Sequence, residues 1–536
     1  MRRRHVAGVC AIAALVAIAA LADPASADDA AAAKASDQAK EKPKGNDAAG
    51  KPEKPAQADN GTEDKAPDNP AKAPDQAKEK SKDDNGAEKP EKPAQADSGA
   101  EDKAPDNPAK APDKQSSDKS DDFWTRKTLL GDIGEIRPFL AKYGMTLGII
   151  DTNEALGNVT GGKQQGAIYD GLTDLTFGID LRPTLDVRGN VYARAYQIRG
   201  RGLTPSIGNV NEISGIEAMA TTRLAEFWYE QHYDKWRIRI GEQTVTTNFL
   251  NPATTRMFVS GALGWPTLPA IVLPTGGPGY PLGTPAVRVR FDPVEGLTLF
   301  SAVFNGDPTG AGVGGSQLAD ASGTAFRVGD GAFVINELRY NPDSSDDNGT
   351  YRIGGWYNSE RFRDLHLDIN GLSLAGALNN GRARPHGGDY SLYAIVDQPF
   401  LIDKEAKTAF AAFARAMGAP GDRNLVELYV DAGLVYKGPL GRPDDQLGFA
   451  VAYARIGSAA RALDADTARL AGSSYPIRSG ETALELTYRF QLAGWWQLQP
   501  DFQYVFNPGG GIPNPNAPGH RVGDAAIFGL RNTITF

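Results

Sequence analysis

Arginine, glutamate and tryptophan recur at every second position in several short stretches of this 536-residue chain. Arginine presents a rigid fork of hydrogen-bond donors, carboxylates accept hydrogen bonds, and tryptophan offers an apolar ring face. Such a group could bind hydroxyl-rich or charged small molecules without any covalent step. The candidate binding and lining residues are Arg188, Arg194, Glu226, Trp228, Arg237, Arg239, Arg288 and Arg290.

The spacing of these residues requires strands to position them, because side chains two positions apart share one face of a β-strand. Residues 235–244 would place Arg237 and Arg239 on one face, with tryptophan and isoleucine on the other. Neighbouring stretches repeat the pattern, so the sequence predicts adjacent strands with arginines and carboxylates on a shared polar face. This face is either a polar constriction that contacts solutes or an electrostatic ladder that stabilises the strands and sets ion preference.

The last three stretches of the chain, 482–492, 496–506 and 526–536, alternate apolar and polar residues in the same way. Each is long enough for a tilted strand to cross a bilayer, and aromatic residues gather at the strand ends. Charged residues such as Glu485 and Arg489 lie in mid-strand, where a dry protein core would not accept them unpaired. A soluble β-sandwich also alternates, but these features favour an apolar face toward lipid and a polar face toward a wet interior.

From residue 144 onward the sequence predicts sixteen strands, an even number as in bacterial outer-membrane barrels. Short links alternate with long ones, as expected when strands turn tightly on one side of a membrane and through longer loops on the other. The predicted fold class is therefore all-β, a transmembrane antiparallel β-barrel. The predicted strands are 144–153, 170–181, 186–199, 222–231, 235–244, 285–292, 296–305, 330–341, 350–358, 389–399, 407–417, 425–437, 446–456, 481–492, 495–507 and 523–536.

Two irregular segments accompany these strands. Residues 128–142 are predicted to form a short turn or helix that caps the barrel mouth and is interrupted by Pro138. The run from Pro266 to Pro285, rich in proline and glycine, is the longest irregular stretch. It either folds into the lumen as a constriction or lies on the surface as a plain loop.

The amino terminus, residues 1–27, has the pattern of a secretory signal peptide. Arginines precede an apolar run at 6–21, and small residues permit cleavage after Ala22 or Ala27. The only cysteine, Cys10, lies inside this run, so the mature chain would have no thiol, disulfide or zinc-thiolate site. No later run of about 18 apolar residues occurs, so a mature chain that crosses a membrane would do so as a closed barrel.

Residues 28–122 contain no Val, Ile, Leu, Met, Phe, Trp or Tyr. With so little to bury, this linker is predicted to be disordered. Its segment 51–76 recurs as 89–114 with three differences. The linker is either a solvated spacer or a periplasmic tether that touches peptidoglycan. The predicted domains are a signal peptide at 1–27, a disordered repeat linker at 28–122 and a β-barrel at 123–536.

The remaining composition argues against several kinds of chemistry. A formal net charge of -9 excludes a basic nucleic-acid binder. The five histidines are not at metal-ligand spacing, and no nucleophile elbow, dinucleotide fingerprint or zinc helix occurs. We therefore expect no enzyme activity, no cofactor and no metal site.

Several short segments between residues 123 and 536 stand out as a set: 131–138, 241–249, 258–260, the run ending in Tyr280-Pro281, 303–307, and 502–511 with the terminal Phe536. Together they resemble the carbohydrate-selective porins of Gram-negative outer membranes, of the glucose-porin type. The resemblance implies a sixteen-stranded barrel for passive diffusion of mono- and small oligosaccharides, with arginine and acidic residues at its narrow point.

The sequence thus predicts a multi-pass protein of the Gram-negative outer membrane that passes carbohydrates through a polar, arginine-lined constriction. Its expected partners are the permeating sugars, outer-membrane lipid and, through the linker, peptidoglycan; the aromatic outer face suits a monomer or a homo-oligomer. Three alternatives remain: a general or anion-selective porin, an enzyme on a barrel scaffold, and a structural barrel that ties the outer membrane to the cell wall.

Overall fold

The computed structural model describes residues 123–342, 349–472 and 474–536. The predicted signal peptide at 1–27, including Cys10, and the predicted linker at 28–122 lie outside the described residues.

Sixteen strands of the described chain close into an antiparallel barrel. Each pairs with its neighbours in sequence, and β1 and β15 both pair with β18, which closes the ring. The short hairpin β16–β17 lies outside the barrel sheet. The strands are β1 Met145–Thr160, β2 Gly166–Asp180, β3 Gly189–Gly200, β4 Thr221–His232, β5 Trp236–Gln243, β6 Thr284–Val294, β7 Leu297–Asn305, β8 Ala332–Tyr340, β9 Thr350–Asp368, β10 Ala383–Asp403, β11 Thr408–Gly418, β12 Val426–Lys437, β13 Gln446–Ile456, β14 Gly480–Ala493, β15 Trp496–Phe506, β16 Pro513–Asn514, β17 Ala517–Arg521 and β18 Ala525–Thr535.

The alternation of residue types explains which face of each strand turns outward. In β14, Leu486 is exposed on the outer face, whereas Glu481 and Glu485 are buried on the inner face. In β18, Phe528 and Leu530 are exposed in the same way. Apolar side chains on the outside and polar ones inside are the arrangement that lipid and a wet lumen require. The prediction of a sixteen-stranded transmembrane barrel is confirmed.

Helices occupy the ends and loops of the barrel. Among the described residues, no helix combines the length and apolar character needed to cross a membrane. The α-helices are α1 Ile136–Lys142, α2 Arg182–Leu185, α3 Thr204–Ile207, α4 Gly261–Gly264, α5 Thr267–Val272, α6 Ser458–Ala471 and α7 Pro508–Gly511. The 3-10 helices are Val245–Thr247, Ala253–Met257, Pro274–Gly276, Gln317–Asp320 and Pro439–Gly441.

The prediction that Pro138 interrupts the segment 128–142 is wrong. Pro138 is the third residue of α1, and the helix continues through it to Lys142. Backbone amides in the first turn of a helix have no intrahelical acceptor, so proline is tolerated there. The segment before Ile136 consists of turns, so α1 is confined to the second half of the predicted region.

The longest connection in the first half of the barrel, residues 244–283 between β5 and β6, is largely buried. Its apolar residues, among them Phe249, Leu263 and Leu268, share one hydrophobic cluster with inward-facing residues such as Phe300 and Tyr429. Because the partners of this loop are inner-wall side chains, the loop folds into the lumen. Of the two alternatives for the proline- and glycine-rich run, a lumen loop or a surface loop, the structure has the first.

Candidate functional site in the barrel lumen

Arg415 on β11 fixes the β5–β6 loop to the inner wall. Its guanidinium pairs with Asp431 on the neighbouring strand β12, and both side chains are fully buried. The same guanidinium donates to the carbonyl oxygens of Ala262, at 3.2 Å, and Leu263, at 3.1 Å. The Tyr429 hydroxyl also donates to the Ala262 carbonyl, at 2.8 Å. A buried ion pair therefore holds the centre of the loop against β11 and β12.

Further inward-facing side chains continue this attachment around the barrel. Glu485 on β14 accepts hydrogen bonds from the backbone amides of Val259, at 2.6 Å, and Ser260, at 3.0 Å. Glu337 on β8 accepts one from the amide of Leu250, at 3.1 Å. Arg352 on β9, Asp397 on β10, Gln499 on β15 and Arg531 on β18 also contact the loop. These contacts attach the loop to inner-wall residues on strands from β8 to β18.

A second connection, residues 201–220 between β3 and β4, also lies in the lumen. Glu481 on β14 accepts hydrogen bonds from the amides of Val210, at 2.8 Å, and Asn211, at 2.7 Å. Ser214 donates to Glu154 on β1, at 2.6 Å. The two loops meet where the amide of Gly215 donates to the carbonyl of Val259, at 2.8 Å. Together they form one hydrogen-bonded structure inside the barrel.

Glu217 stabilises the first turn of the β3–β4 loop. Its carboxyl group accepts hydrogen bonds from the amide and hydroxyl of Thr204, at 3.2 Å and 2.9 Å, and from the amide of Leu203, at 3.2 Å. Burial raises the pKa of Glu217 to about 7, although the hydrogen bonds from Thr204 act in the opposite direction.

Strands β4, β5 and β6 carry a compact cluster of charged residues on their inner faces. Glu230 accepts a hydrogen bond from Arg239, at 2.9 Å, and also pairs with Arg288. Both guanidinium groups donate to the side-chain oxygen of Asn248 at the start of the β5–β6 loop. These four residues are buried, so they link the barrel wall to the base of the loop.

Next to this cluster, Trp228 and Glu226 on β4 form a second polar group. The Trp228 indole nitrogen donates to Glu226 at 2.9 Å, and the ring stacks on Tyr192 with 5.0 Å between centroids. The Arg239 guanidinium lies 3.6 Å from the Trp228 ring centroid. Arg194 on β3 pairs with Asp174 at 2.6 Å. Trp228 thus supports a guanidinium group, and cation–π contact fixes the orientation of the arginine fork.

A further row of arginines surrounds Phe300 on β7. The guanidinium carbons of Arg339, Arg288 and Arg290 lie 4.1, 5.4 and 5.6 Å from its ring centroid. Arg339 also donates to Glu337 at 2.6 Å. Strands β5 to β9 therefore form an arginine-rich inner wall whose guanidinium groups are held by carboxylates and aromatic rings.

The structure brings together seven of the eight residues predicted from the sequence. Arg194, Glu226, Trp228, Arg237, Arg239, Arg288 and Arg290 all lie on β3 to β6, on the inner faces. Arg237 pairs in register with Arg290 across β5 and β6. Arg188, in contrast, lies in the exposed turn that precedes Gly189, the first residue of β3. It is not part of the lumen cluster.

Sequence reasoning missed Glu337, Arg339 and Arg352 on β8 and β9, and the Arg415–Asp431 pair. The arginines of β8 and β9 follow the same alternation as those of β5 and β6, so the pattern could have identified them. Arg415 stands alone among alanines in β11, and no local signal marks it. In the described part of the chain no group of three or more His, Cys, Asp or Glu residues could hold a metal ion.

A closed sixteen-stranded antiparallel barrel with a charged inner wall and loops folded into its lumen defines the class of outer-membrane porins. The family described as "Carbohydrate-selective porin, OprB family" matches residues 164–536, and this chain belongs to it. The family and the barrel fold point to a channel rather than an enzyme, and to a multi-pass protein of the Gram-negative outer membrane.

Individual relatives agree with this assignment. The chain is 22% identical over 413 residues to Porin B of Pseudomonas aeruginosa, which covers 72% of this chain and 87% of that protein. It is 24% identical over 449 residues to the putative porin QuiX of Acinetobacter baylyi, covering 77% and 95% of the two chains. Among solved structures, the high-pH structure of Pseudomonas putida OprB superposes with a TM-score of 0.68 at 22% identity, covering 77% of this chain and 99% of that one. This last similarity is one of fold.

Proposed function

We propose that this protein passes mono- and small oligosaccharides by passive diffusion through a polar constriction bounded by the two lumen loops and the arginine-rich wall. No energy coupling or chemical step is needed. Sugar would cross between the β5–β6 loop and the inner faces of β3 to β9, next to the arginines of this wall that stay partly exposed.

The observation that carries this proposal is the partial exposure of three arginines on the arginine-rich wall. The side chains of Arg194, Arg290 and Arg339 are 27%, 19% and 21% exposed. Arg239 and Arg288 of the same wall are nearly fully buried. In this arrangement the partly exposed guanidinium groups would contact solutes. The two buried arginines would instead link the barrel wall to the base of the loop.

The chemistry of these groups suits hydroxyl-rich solutes. Each guanidinium group has several N–H donors, and only some of them are used by Asp174, Asp292 or Glu337. Because carboxylates and rings already hold the arginines, little side-chain freedom would be lost when a hydroxyl group replaces water. A neutral sugar would therefore find a prearranged set of donors and acceptors at the narrow point.

Liposome swelling tests the proposal. Vesicles that contain the purified protein should swell faster in glucose or maltose than in a neutral non-sugar of similar size. Arg290→Leu should reduce this preference, and the matched control Arg188→Leu, in the exposed turn, should leave it unchanged. Equal rates for sugars and non-sugars in the unaltered protein would argue against a carbohydrate constriction.

A general or anion-selective porin is the second candidate. The observation that favours it is the excess of arginine on β5 to β9, where Arg237, Arg239, Arg288, Arg290, Arg339 and Arg352 face fewer carboxylates. Fixed positive charge at a narrow point attracts anions and repels cations. Under this alternative, small anions would cross faster than glucose.

The roles proposed for the amino-terminal segments rest on their sequence. Residues 1–27 would direct export, and residues 28–122 would form a periplasmic spacer. If the spacer touches peptidoglycan, purified cell wall should retain the full mature chain better than a chain that begins at Phe123. Equal retention would remove this role.

A further inference from the structure

A helix and a short link join the strands β9 to β13 at the end of the barrel that carries the long loops. We call them the outer cap: α6 and residues 419–425, the link between β11 and β12. The Ala459 amide near the start of α6 donates to the carbonyl of Gly421 in the link, at 3.0 Å. Asp466 near the end of α6 contacts His366 on β9, four strands from β13 around the barrel. The long loops of such barrels face the outside of the cell.

His366 holds the second half of α6 through an acidic partner. Its Nε2 atom lies 2.9 Å from Oδ2 of Asp466, whose other oxygen accepts a hydrogen bond from Arg469, at 3.1 Å. The hydrogen bond with His366 lowers the pKa of Asp466, so this carboxylate is charged in neutral and mildly acidic solution. Histidine ordinarily gains its proton below about pH 6.5. The contact is therefore an ion pair in acid and a weaker, neutral hydrogen bond in alkali.

His386 on β10 lies between two carboxylates on different elements. Its Nε2 atom is 3.1 Å from Asp364 on β9, and its Nδ1 atom is 3.8 Å from Asp422 in the link. Arg423 donates to Asp422 at 2.8 Å and lowers the pKa of that carboxyl group, which keeps it charged. A neutral imidazole has one N–H group, whereas the protonated ring has two. Only the protonated ring can therefore attract both carboxylates and tie the link to β9 and β10.

A buried acid and a buried amide form the third contact. The Asn424 side-chain amide in the link donates to Oδ1 of Asp389 on β10, at 2.9 Å, and both side chains are fully buried. Among the described residues, Oδ2 of Asp389 and Oδ1 of Asn424 have no hydrogen-bond partner, which is destabilising for buried acceptors. A proton on Asp389 satisfies both, because the O–H group can donate to the amide oxygen. The charged groups that act on Asp389, Arg423 and Asp422, are opposite in sign.

We propose that these three contacts make the outer cap a pH-sensitive latch that tightens when protons bind. The three sites act in the same direction: His366 and His386 gain charge opposite carboxylates, and Asp389 gains the hydrogen that completes its pairing with Asn424. Because the latched state binds more protons than the released state, its stability falls as the pH rises. The outer cap is then fixed in mildly acidic surroundings and mobile in alkaline ones. The proposal does not depend on which solute the channel passes.

Amide hydrogen exchange on the full mature protein in mild detergent tests the latch. Protection factors, which remove the direct effect of pH on exchange, report how often a segment opens. The protection of the outer cap should fall by about tenfold or more between pH 5 and pH 8, because a shift of one pKa unit corresponds to about a tenfold change in an equilibrium constant. Strand β13, which precedes α6 in the chain, should keep its protection and serves as the internal control.

Two substitutions should act in opposite directions. Asp389→Asn keeps both hydrogen bonds without a proton, because the new amide can donate to Oδ1 of Asn424 and still accept from its Nδ2 atom. It should raise the protection of the outer cap at pH 8 toward the value at pH 5. His386→Gln removes the charge between Asp364 and Asp422, so it should lower the protection at pH 5 toward the value at pH 8. A general folding defect would lower the protection in both variants.

His520→Gln is the matched control, because His520 lies on β17, outside the barrel sheet. It should leave the pH dependence of the outer cap unchanged. His366→Gln should resemble His386→Gln and provides a second test if the latter does not fold. Equal protection of the outer cap at pH 5 and pH 8 in the unaltered protein would overturn the proposal. An unchanged pH dependence in both Asp389→Asn and the histidine variants would overturn it as well.

Discussion

Glu481 and Glu485 lie four residues apart on the inner face of β14 and anchor different lumen loops. Glu481 accepts hydrogen bonds from the consecutive amides of residues 210–211, and Glu485 from those of residues 259–260. One strand thus positions both loops that narrow the lumen.

Replacing Glu485 by alanine should loosen the β5–β6 loop. Buried amides left without an acceptor cost about 1–3 kcal/mol each, and Val259 and Ser260 would lose theirs. We expect a larger and noisier single-channel current together with a lower unfolding temperature. Thr482→Ala, on the outer face of the same strand, is the matched control. Unchanged currents in Glu485→Ala would mean that other contacts suffice to hold the loop.

The buried Arg415–Asp431 pair should behave as a unit. Arg415→Leu leaves the Asp431 carboxylate buried without its partner, which typically costs about 3–5 kcal/mol. The double change Arg415→Leu with Asp431→Leu should cost less than the sum of the single changes, and a double-mutant cycle of urea unfolding in detergent measures the difference. Additive losses would show that each residue acts through separate contacts.

The stability of the β3–β4 loop should depend on pH through Glu217. Its pKa in the folded protein is raised from the ordinary 4.5 to about 7, so its contribution to stability is complete below the ordinary value and is lost as the pH rises through 7. Glu217→Gln mimics the protonated form and removes this dependence. The unfolding temperature of the variant minus that of the unaltered protein should increase between pH 5 and pH 9. A constant difference would show that Glu217 does not titrate in this range.

The partly exposed arginines should set the charge preference of the channel. Arg290→Gln with Arg339→Gln removes two positive charges from the arginine-rich wall, so the reversal potential in a salt gradient should shift toward cations. Arg188→Gln removes one positive charge from the exposed turn and should cause no shift. If both changes move the reversal potential equally, the wall arginines do not line the route.

The strands could be predicted from sequence because the alternation that defines them is local. Residues 446–456 were predicted as a strand and form β13 with those bounds. Strands β9 and β10 are longer than predicted because residues 359–368 and 383–388 are rich in charged, polar and small residues, so the apolar alternation is weak there. Arg188 was included because the alternation was extended past Gly189, where β3 begins.

The contacts inside the lumen could not be predicted in the same way. Arg415 recognises carbonyl oxygens more than 150 residues earlier in the chain, and a backbone carbonyl carries no sequence signature. Helix α6 was also missed, since its alanines and charged residues give a weak apolar stripe within a long link. The seven residues on β3 to β6 could be grouped from the sequence because they recur at every second position. This spacing is local, unlike the long-range contacts.

Single-channel conductance in a planar bilayer, titrated with glucose, maltose and a neutral non-sugar of similar size, tests the carbohydrate constriction most directly. A saturable block by the sugars, absent with the non-sugar, is the predicted result. A conducting channel with strong ion preference and no sugar block would contradict it in favour of a general or anion-selective porin, and a barrel without conductance would contradict the channel itself.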